Sequence, residues 1–377
     1  MIVALDVSYM QRGSTGIGRY TSGLLRSLLN TGERPELILH GWSLRLSKAE
    51  LESPAAPRVR TAVARVPGPV KRFYWNRLRM PPLSTLIGPF DIFHSAEPLL
   101  PPLGTARGIA TVHDMAYLRY PEFFERAVLR RDPHVRRTLR DARAVIVPSH
   151  ATKADLVEAL GVEEEKITLV RPPVLPACTP AGDRRADDAV LAAHGIRAPF
   201  ALFVGTLEPR KNLQSLIEGF SRLHGRGGPD LDLVIAGRRG WLYEGVLEAV
   251  RRSPARARIR LLGFVTDDDL ASLYRRALFF VYPSFYEGYG SPVGEAMASG
   301  LPVITSDNSA LREIASGAAL LVNPRDTLQI AGAMDALLND GKARSALGAA
   351  GLARIRELNA EDTAAVLVRL YERVMRQ

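Results

Sequence analysis

Cysteine is almost absent from this chain: Cys178 is the only one among 377 residues, so an intrachain disulfide is impossible. No Cys/His cluster has zinc-ligand spacing, which excludes structural zinc. No run approaches the roughly 18 apolar residues of a membrane-spanning helix. The opening Met1-Ile2-Val3-Ala4-Leu5-Asp6 has neither a basic leader nor a small-residue cleavage site. A cytoplasmic protein is therefore expected. Low-complexity tracts and short repeats are missing as well. What remains is 46% hydrophobic and 24% charged, an ordinary soluble balance that excludes disordered and fibrous classes. The length suits two or three domains.

Lysine is also scarce, six of 50 basic residues, and the positive charge is unevenly spread. Residues 1–185 carry net +9 and residues 186–377 net +1. Most of the excess lies between Arg12 and Arg79, with a second cluster at Arg126–Arg143. A basic face suits an anionic partner such as phospholipid or a phosphorylated acceptor. A solvated Arg-rich surface inherited from base composition accounts for it equally. Nucleic acid is not expected, because aromatic interleaving stops at Phe73-Tyr74-Trp75 and no reader motif occurs.

Short apolar runs alternate with amphipathic stretches twice along the chain. In the first half the strand-like runs are Ile2–Val7, Glu36–Trp42, Asp91–His94, Gly108–His113 and Ala144–Pro148. In the second they are Phe200–Val204, Leu231–Ala236, Ile259–Leu262, Leu278–Tyr282, Pro302–Thr305 and Ala319–Val322. Continuous apolar strands separated by helices predict parallel sheets covered on both faces. The Pro-rich stretch 170–176, followed by the polar run 182–188, reads as a linker. The expected architecture is α/β, two doubly wound Rossmann-like domains facing a central cleft, with bounds 1–175 and 186–355. The tail is read as helical, broken at Gly341 and Gly351, with residues 356–377 packing back toward the first domain.

Ligands of doubly wound sheets collect at the carboxyl ends of strands, so polar residues there are the candidates. Gly13-Ser14-Thr15-Gly16-Ile17-Gly18 precedes a helix and suits backbone approach to a phosphate, or simply a helix-start turn. Its spacing does not fit a nicotinamide site. His113-Asp114 closes a strand and either positions a sugar hydroxyl or leaving group or is structural. In Gly205-Thr206-Leu207-Glu208-Pro209-Arg210-Lys211-Asn212, two adjacent cations at a helix start suit a diphosphate. The glycine-rich loop Glu287-Gly288-Tyr289-Gly290-Ser291-Pro292-Val293-Gly294-Glu295 sets two carboxylates eight residues apart, with Pro292 placed to start a helix and Glu295 in its first turn. Carboxylates so placed accept hydrogen bonds from ribose or hexose hydroxyls. Asp230-Leu231-Asp232 lies at the wrong strand end for a metal, and Asp267–Asp269 reads as helix capping. No catalytic metal is expected.

Together these residues resemble the retaining glycosyltransferases of family 4, which have the GT-B fold. The segment Pro283–Glu287 through Glu295-Ala296-Met297-Ala298-Ser299-Gly300-Leu301-Pro302-Val303-Ile304 is similar to the family's two-glutamate motif. Gly205–Asn212, Ala236–Tyr243 and Gly263-Phe264-Val265 resemble the bacterial polysaccharide subgroup that includes many mannosyltransferases. The resemblance implies that Glu287 contacts the donor sugar, Glu295 the ribose, and Arg210 with Lys211 the diphosphate. It further implies that the Gly16 loop closes over the donor, that His113 sits beside the transferred sugar, and that Phe264-Val265 receives the base. Gly288, Tyr289, Gly290, Ser291 and Val293 would complete the donor loop. Many relatives carry Arg at the position of Thr206, so here Arg210 would take that phosphate contact. Relatives also often have a Gly-containing turn where this chain has Arg171-Pro172-Pro173-Val174.

The implied reaction is metal-independent transfer of a hexose with retention, from a nucleotide-diphosphate sugar and without a resident cofactor. GDP-mannose is the favoured donor, and the acceptor is polyprenyl-diphosphate-linked or an oligosaccharide. UDP-hexose or UDP-N-acetylhexosamine transfer, or a nucleotide-sugar-binding or epimerase-like GT-B protein, is the alternative. The basic first half suggests peripheral attachment to an anionic inner membrane face, through Lys71, Arg72, Arg77 and Arg79. Phe73-Tyr74-Trp75 would serve as an interfacial anchor or pack in the core.

Overall fold

The computed structural model describes residues 1–10, 16–32, 34–42, 56–64, 74–175, 177–197, 199–224 and 229–377. The chain forms two compact units, each built on its own parallel sheet. Met1–Arg119, Arg126–Pro173 and Glu361–Gln377 make the first, Tyr120–Glu125 and Val174–Ala360 the second.

The first sheet holds β1 (Ile2–Asp6), β2 (Glu36–Trp42), β3 (Val59–Ala64), β4 (Ile92–Ser95), β5 (Arg107–Thr111), β6 (Ala144–Val147) and β7 (Ile167–Leu169). Their order is β3-β2-β1-β4-β5-β6-β7, all pairs parallel. Alternate side chains feed opposite faces, as strand geometry requires. Val3 and Leu5 face the helix Ile17–Leu29, which contributes Leu24 and Leu28, whereas Ala4 joins Ile38 and Phe93 on the other side. Trp75 is buried on that second face, edge-on to Trp42 at 4.4 Å, while Tyr74 is exposed. Trp75 is thus a core residue and not an interfacial anchor; Phe73 lies outside the described residues.

The terminal helix Thr363–Arg376 covers the first sheet with Leu367, Leu370, Tyr371 and Val374, a helical stripe. Tyr371 also lies 2.8 Å from His94 Nδ1, and His94 Nε2 lies 3.2 Å from Thr111 Oγ1. Burial, with the neighbouring His113 charge, pushes the His94 pKa down to about 3, so the imidazole is neutral in this core. The returning segment begins at Glu361, not at residue 356, because helix Gly341–Leu358 belongs to the second unit.

The second sheet holds β8 (Phe200–Val204), β9 (Asp232–Ala236), β10 (Ile259–Gly263), β11 (Phe279–Tyr282), β12 (Val303–Ser306) and β13 (Leu320–Val322), in the order β10-β9-β8-β11-β12-β13. β8, β9, β11 and β12 are buried along their whole length, which is why they read as continuous apolar runs. Gly341 follows the Asp340 cap, but Gly351 lies inside the helix and does not break it. A Cβ on Gly351 would come 3.1 Å from Met297 Cγ, and one on Gly348 2.4 Å from the Gly300 carbonyl oxygen. Both glycines are there so that this helix can lie close against Ser291–Gly300.

Two further expectations shift. Tyr120–Glu125, inside the first half of the sequence, packs with the second unit, and so does Val174. The polar run 182–188 is largely the start of helix Arg184–Ala193, where Asp187 is buried against Arg275 at 2.5 Å.

Candidate active site

Each sheet reverses its strand order once, at β1/β4 in the first unit and β8/β11 in the second. A crevice opens outside the carboxyl ends of the strands at such a switch. The β8/β11 switch is where the sequence-predicted cations meet Glu287.

After β8 the chain cannot run free, because the β9 loop lies directly against it. A Cβ on Gly237 would fall 1.8 Å from the Gly205 carbonyl oxygen, and one on Gly240 2.6 Å from Thr206 Cγ2. Leu207 N–H donates to the Arg238 carbonyl at 2.8 Å, and Gly240 N–H to the Leu207 carbonyl at 3.0 Å. One 3₁₀ turn, Pro209–Lys211, then leads to Asn212 in the left-handed region at φ 56°. Asn212 Nδ2 holds that conformation by donating to the carbonyls of Pro283 (3.0 Å) and Pro324 (2.6 Å). This tight turn aims Arg210 and Lys211 at the loop that follows β11.

Glu287 lies between them. Lys211 Nζ donates to its Oε1 at 2.7 Å and Arg210 NH1 to its Oε2 at 2.8 Å. Tyr282 OH also donates to Oε1 at 3.1 Å, and Lys211 Nζ lies 2.7 Å from that hydroxyl. Arg210 donates further to the Tyr286 carbonyl and to Glu208 Oε1, each at 2.8 Å. Glu208, Lys211 and Glu287 are all under 9% exposed. Burial alone would raise the Glu287 pKa, but the Arg210 and Lys211 charges outweigh it and hold the carboxyl down to about 2. Burial, with the Glu287 charge second, pushes the Tyr282 phenol far up, so it stays a donor.

The other candidates of the 287–295 segment fall in the same unit. Gly290 takes φ 95° ahead of helix Ser291–Ala298, in which Pro292 is the second residue. A Cβ on Gly290 would come 2.6 Å from Leu311 Cδ2. Gly288, Tyr289 and Val293 are buried, and Ser291 is exposed. Glu287 N–H donates to Ser309 Oγ at 3.1 Å, tying this loop to helix Ser309–Ala315. Glu295 is the fifth helical residue, so it stands in the second turn and not the first. It is buried and accepts from Tyr274 OH at 2.9 Å. Phe264 follows β10, is 41% exposed, and has the Arg238 guanidinium 4.2 Å from its ring centroid; Val265 beside it is buried. Thr206 is half-buried in the turn after β8.

In the first unit, Gly16 is exposed at φ 49° before helix Ile17–Leu29, while Gly13, Ser14 and Thr15 lie outside the described residues. His113 follows β5 with Nε2 2.8 Å from the Ala96 carbonyl oxygen and its ring edge-on to Tyr20 at 4.9 Å. That carbonyl requires the proton on Nε2 and leaves Nδ1 as the acceptor in neutral imidazole. Desolvation keeps the His113 pKa below the usual value, outweighing the carbonyl and the Asp114 and Glu97 charges. Nearby, a cavity of about 510 Å³ has Trp42 and Trp75 on one side and Asp6, Glu97, Arg130 and Arg131 among its polar lining.

The acidic pairs set aside earlier have structural partners. Buried Asp232 accepts from Arg258 (3.1 Å) and Arg260 (2.9 Å). Asp267, Asp268 and Asp269 form the first turn of a helix whose cap is Thr266 Oγ1, the acceptor of Asp269 N–H at 3.2 Å. Glu208, Tyr282 and Tyr274 were missed as site residues. Only Glu208 carries a local signal, inside the Gly205–Asn212 motif.

Residues 14–177 match the family described as Glycosyltransferase Family 4, and residues 191–354 the one described as Glycosyl transferases group 1. The chain carries both glycosyltransferase domains, one after the other. Among curated relatives, this glycosyltransferase is 28% identical to O-antigen chain mannosyltransferase B of Escherichia coli, over 95% of this chain and 96% of that one. Its structure is similar to sucrose-phosphate synthase from Thermosynechococcus elongatus (TM-score 0.79, 22% identity, 99% of each chain). It is also similar to HepE of Anabaena, solved in complex with UDP and glucose (TM-score 0.74, 16% identity, all of each chain). The fold is GT-B.

In this glycosyltransferase the lowered Glu287 pKa adds stability that is fully present above about pH 4.5 and is lost as pH falls toward 2. Urea unfolding of wild type and Glu287→Gln should therefore show a gap that narrows by about 2 kcal/mol between pH 5 and pH 3. A constant gap across that range would contradict the clamped-carboxylate geometry.

Proposed function

We propose that this glycosyltransferase moves mannose from GDP-mannose, with retention, onto a lipid-linked or saccharide acceptor in cell-surface polysaccharide synthesis. The observation that carries the reading is the Arg210–Glu287–Lys211 clamp at the β8/β11 switch. Likeness to an O-antigen mannosyltransferase along 95% of the chain supports the choice of sugar.

In this reading Arg210 and Lys211 receive the donor diphosphate. Two of the three Lys211 ammonium donors are committed to Tyr282 and Glu287, and the third would go to a phosphate oxygen. Thr206 borders the phosphates, Phe264 and Val265 the base, and Glu295 the ribose; the family resemblance assigns Gly16 to the donor as well. Glu287 and the 288–293 loop hold the sugar; the family resemblance assigns His113, whose Nδ1 is free to accept in the neutral ring, to the sugar as well. A carboxyl held near 2 is a weak base and a poor nucleophile, and both Glu287 oxygens are engaged. This favours attack on the face the diphosphate leaves. The bond from the anomeric carbon to the diphosphate breaks, the acceptor oxygen bonds to that carbon, and the acceptor proton passes to the departing phosphate. Arg210 and Lys211 stabilise the charge developing there, and losing one such donor costs on the order of 3–4 kcal/mol of transition-state stabilisation. No divalent ion is needed where two fixed cations serve. The cavity bordered by Trp42 and Trp75 seats the acceptor.

The deciding experiment is a thermal-shift and turnover panel of GDP, UDP, ADP and their sugars in excess chelator. GDP-mannose should stabilise by about 2.7 kcal/mol at 100 times its dissociation constant and be turned over with retention. Preference for a UDP-sugar would replace the donor, a 2-epimer product would replace the activity, and dependence on added manganese or magnesium would end the metal-free mechanism.

Division of labour between the glutamates is separable by kinetics. Glu287→Ala should lower kcat far more than donor affinity, and Glu295→Ala the reverse. Equal losses in both variants, with folding intact, would remove the assignment.

Membrane attachment belongs to the same reading. Lys71 and Arg72 lie outside the described residues, as does the Arg77 side chain, while Arg79 is paired with Asp141 at 3.0 Å. A groove of about 790 Å³ at the amino end of β5 and β6 gathers six cations, Arg79, Arg107, Arg137, Arg140, Arg143 and Lys166, against three acids, Asp141, Glu163 and Glu165. Each such cation near an anionic surface is worth about 1 kcal/mol within a Debye length. Among the described residues, no helix is long and apolar enough to cross a membrane. Sedimentation with phosphatidylserine vesicles should be salt-sensitive and weaken when Arg140, Arg143 and Lys166 become Ser; salt-insensitive or absent binding would leave an ordinary Arg-rich surface.

A further inference from the structure

We propose that the segment Tyr120–Glu125 is a positioning strap for the donor site, in which Phe123 fixes the Phe285-Tyr286 peptide that in turn fixes Arg210. The inference rests on the reading of Arg210 as a diphosphate ligand, and it names the residues that hold that ligand in place.

The sheet order β9-β8-β11 places the loops after β9 and β11 on either side of the β8 loop that carries Arg210. The strap touches both flanking loops. On the β9 side, Trp241 Nε1 donates to the Phe123 carbonyl at 2.6 Å, and the Trp241 ring lies 5.8 Å from Phe124. On the β11 side, Phe123 stacks on Phe285 at 5.2 Å and 23°, and Tyr120 stacks on Phe123 at 5.6 Å and 8°. The Arg325 guanidinium lies 5.2 Å from the Phe285 ring centroid. Phe285 is therefore held between aromatic and cationic neighbours by a segment more than 150 residues away in sequence.

The consequence passes to Arg210 through the backbone. Phe285 N–H donates to the Arg210 carbonyl at 2.9 Å, and the Tyr286 carbonyl accepts from Arg210 NH1 at 2.8 Å. One dipeptide thus grips Arg210 at its main chain and at its guanidinium, and the next residue is Glu287. A small displacement of reacting or charge-stabilising groups lowers turnover steeply, which gives rigid support of this dipeptide a catalytic value. Phe123 touches neither Arg210 nor Glu287 in this chain of contacts, so its role is positioning.

The test compares Phe123→Ala, Phe123→Tyr, Trp241→Phe and Arg210→Ala in the full chain. Phe123→Ala should lower kcat by between about 10- and 100-fold with little change in donor KM. Phe123→Tyr, which keeps the stack, should recover most of the loss. Adding Phe123→Ala to Arg210→Ala should cost almost nothing further, because both act through one group. A readout independent of turnover accompanies this. With Arg210 displaced, the Glu287 pKa rises, so the pH-dependent gap between each protein and its Glu287→Gln partner should shrink in Phe123→Ala. An unchanged gap together with additive kinetics would overturn the strap. If Arg210→Ala leaves turnover intact, the diphosphate assignment fails while the pH-linkage measurement still decides the strap. Should Phe123→Ala not fold, Trp241→Phe, which removes the 2.6 Å hydrogen bond and keeps an aromatic ring beside Phe124, carries the same comparison.

Discussion

The second unit is organised around one buried carboxylate. Removing Glu287 from water is costly, and the cost is offset only because Arg210 and Lys211 reach its two oxygens and Tyr282 adds a hydroxyl. Both cations must therefore leave the β8 loop in the same direction, although consecutive side chains usually diverge. The short 3₁₀ turn and left-handed Asn212 provide that geometry. Asn212 is itself pinned by two proline carbonyls, one from the β11 loop and one from beyond β13. Losing any of these supports would leave a charge stranded in the interior, a far larger penalty than losing a surface ion pair.

Close backbone approach is the second constraint, and glycine enforces it. At Gly237 and Gly240 a side chain would strike the β8 loop, and at Gly290 it would strike Leu311. The loops after β8, β9 and β11 can consequently share hydrogen bonds instead of spreading apart. Gly348 and Gly351 do the same for the helix behind the two-glutamate loop. A rigid, layered support of this kind is what a site needs when its catalytic value lies in fixed charge.

Legibility followed burial and contiguity. Strands buried along their whole length, such as β8 and β11, announce themselves as apolar runs, and their ends were read to within a residue or two. β3 and β7 were not read: β3 has exposed Arg60 among partly covered neighbours and only Ala64 buried, and β7 has three residues of which only the first is buried. The cations and Glu287 were legible because each sits in one short segment just after its strand, and Glu295 because its helix follows directly. Their partners were less so. Tyr282 reads as one more aromatic in a buried strand, and Tyr274 as a helix core residue. Tyr120–Glu125 was misplaced, and Trp75 was left between two readings, for a related reason, since apolar residues state that they will be buried but not against which surface.

The balance of charge in the clamp bears on how it can act. Glu208 and Glu287 cancel Arg210 and Lys211, so the cluster has little long-range attraction for an anion, and its strength lies in orientation at short range. Arg238 and Arg239, on the adjoining β9 loop, rest over the rings of Phe264 and Tyr243, with no ion pair among the described residues. A guanidinium over an aromatic face keeps its full charge, because the ring offers a quadrupole and not a counter-ion. Positive potential at this edge of the sheet is therefore supplied by the β9 loop, while the geometry of the charge is set between β8 and β11. Attraction and alignment are separate tasks here, carried by neighbouring loops that the glycines hold in contact.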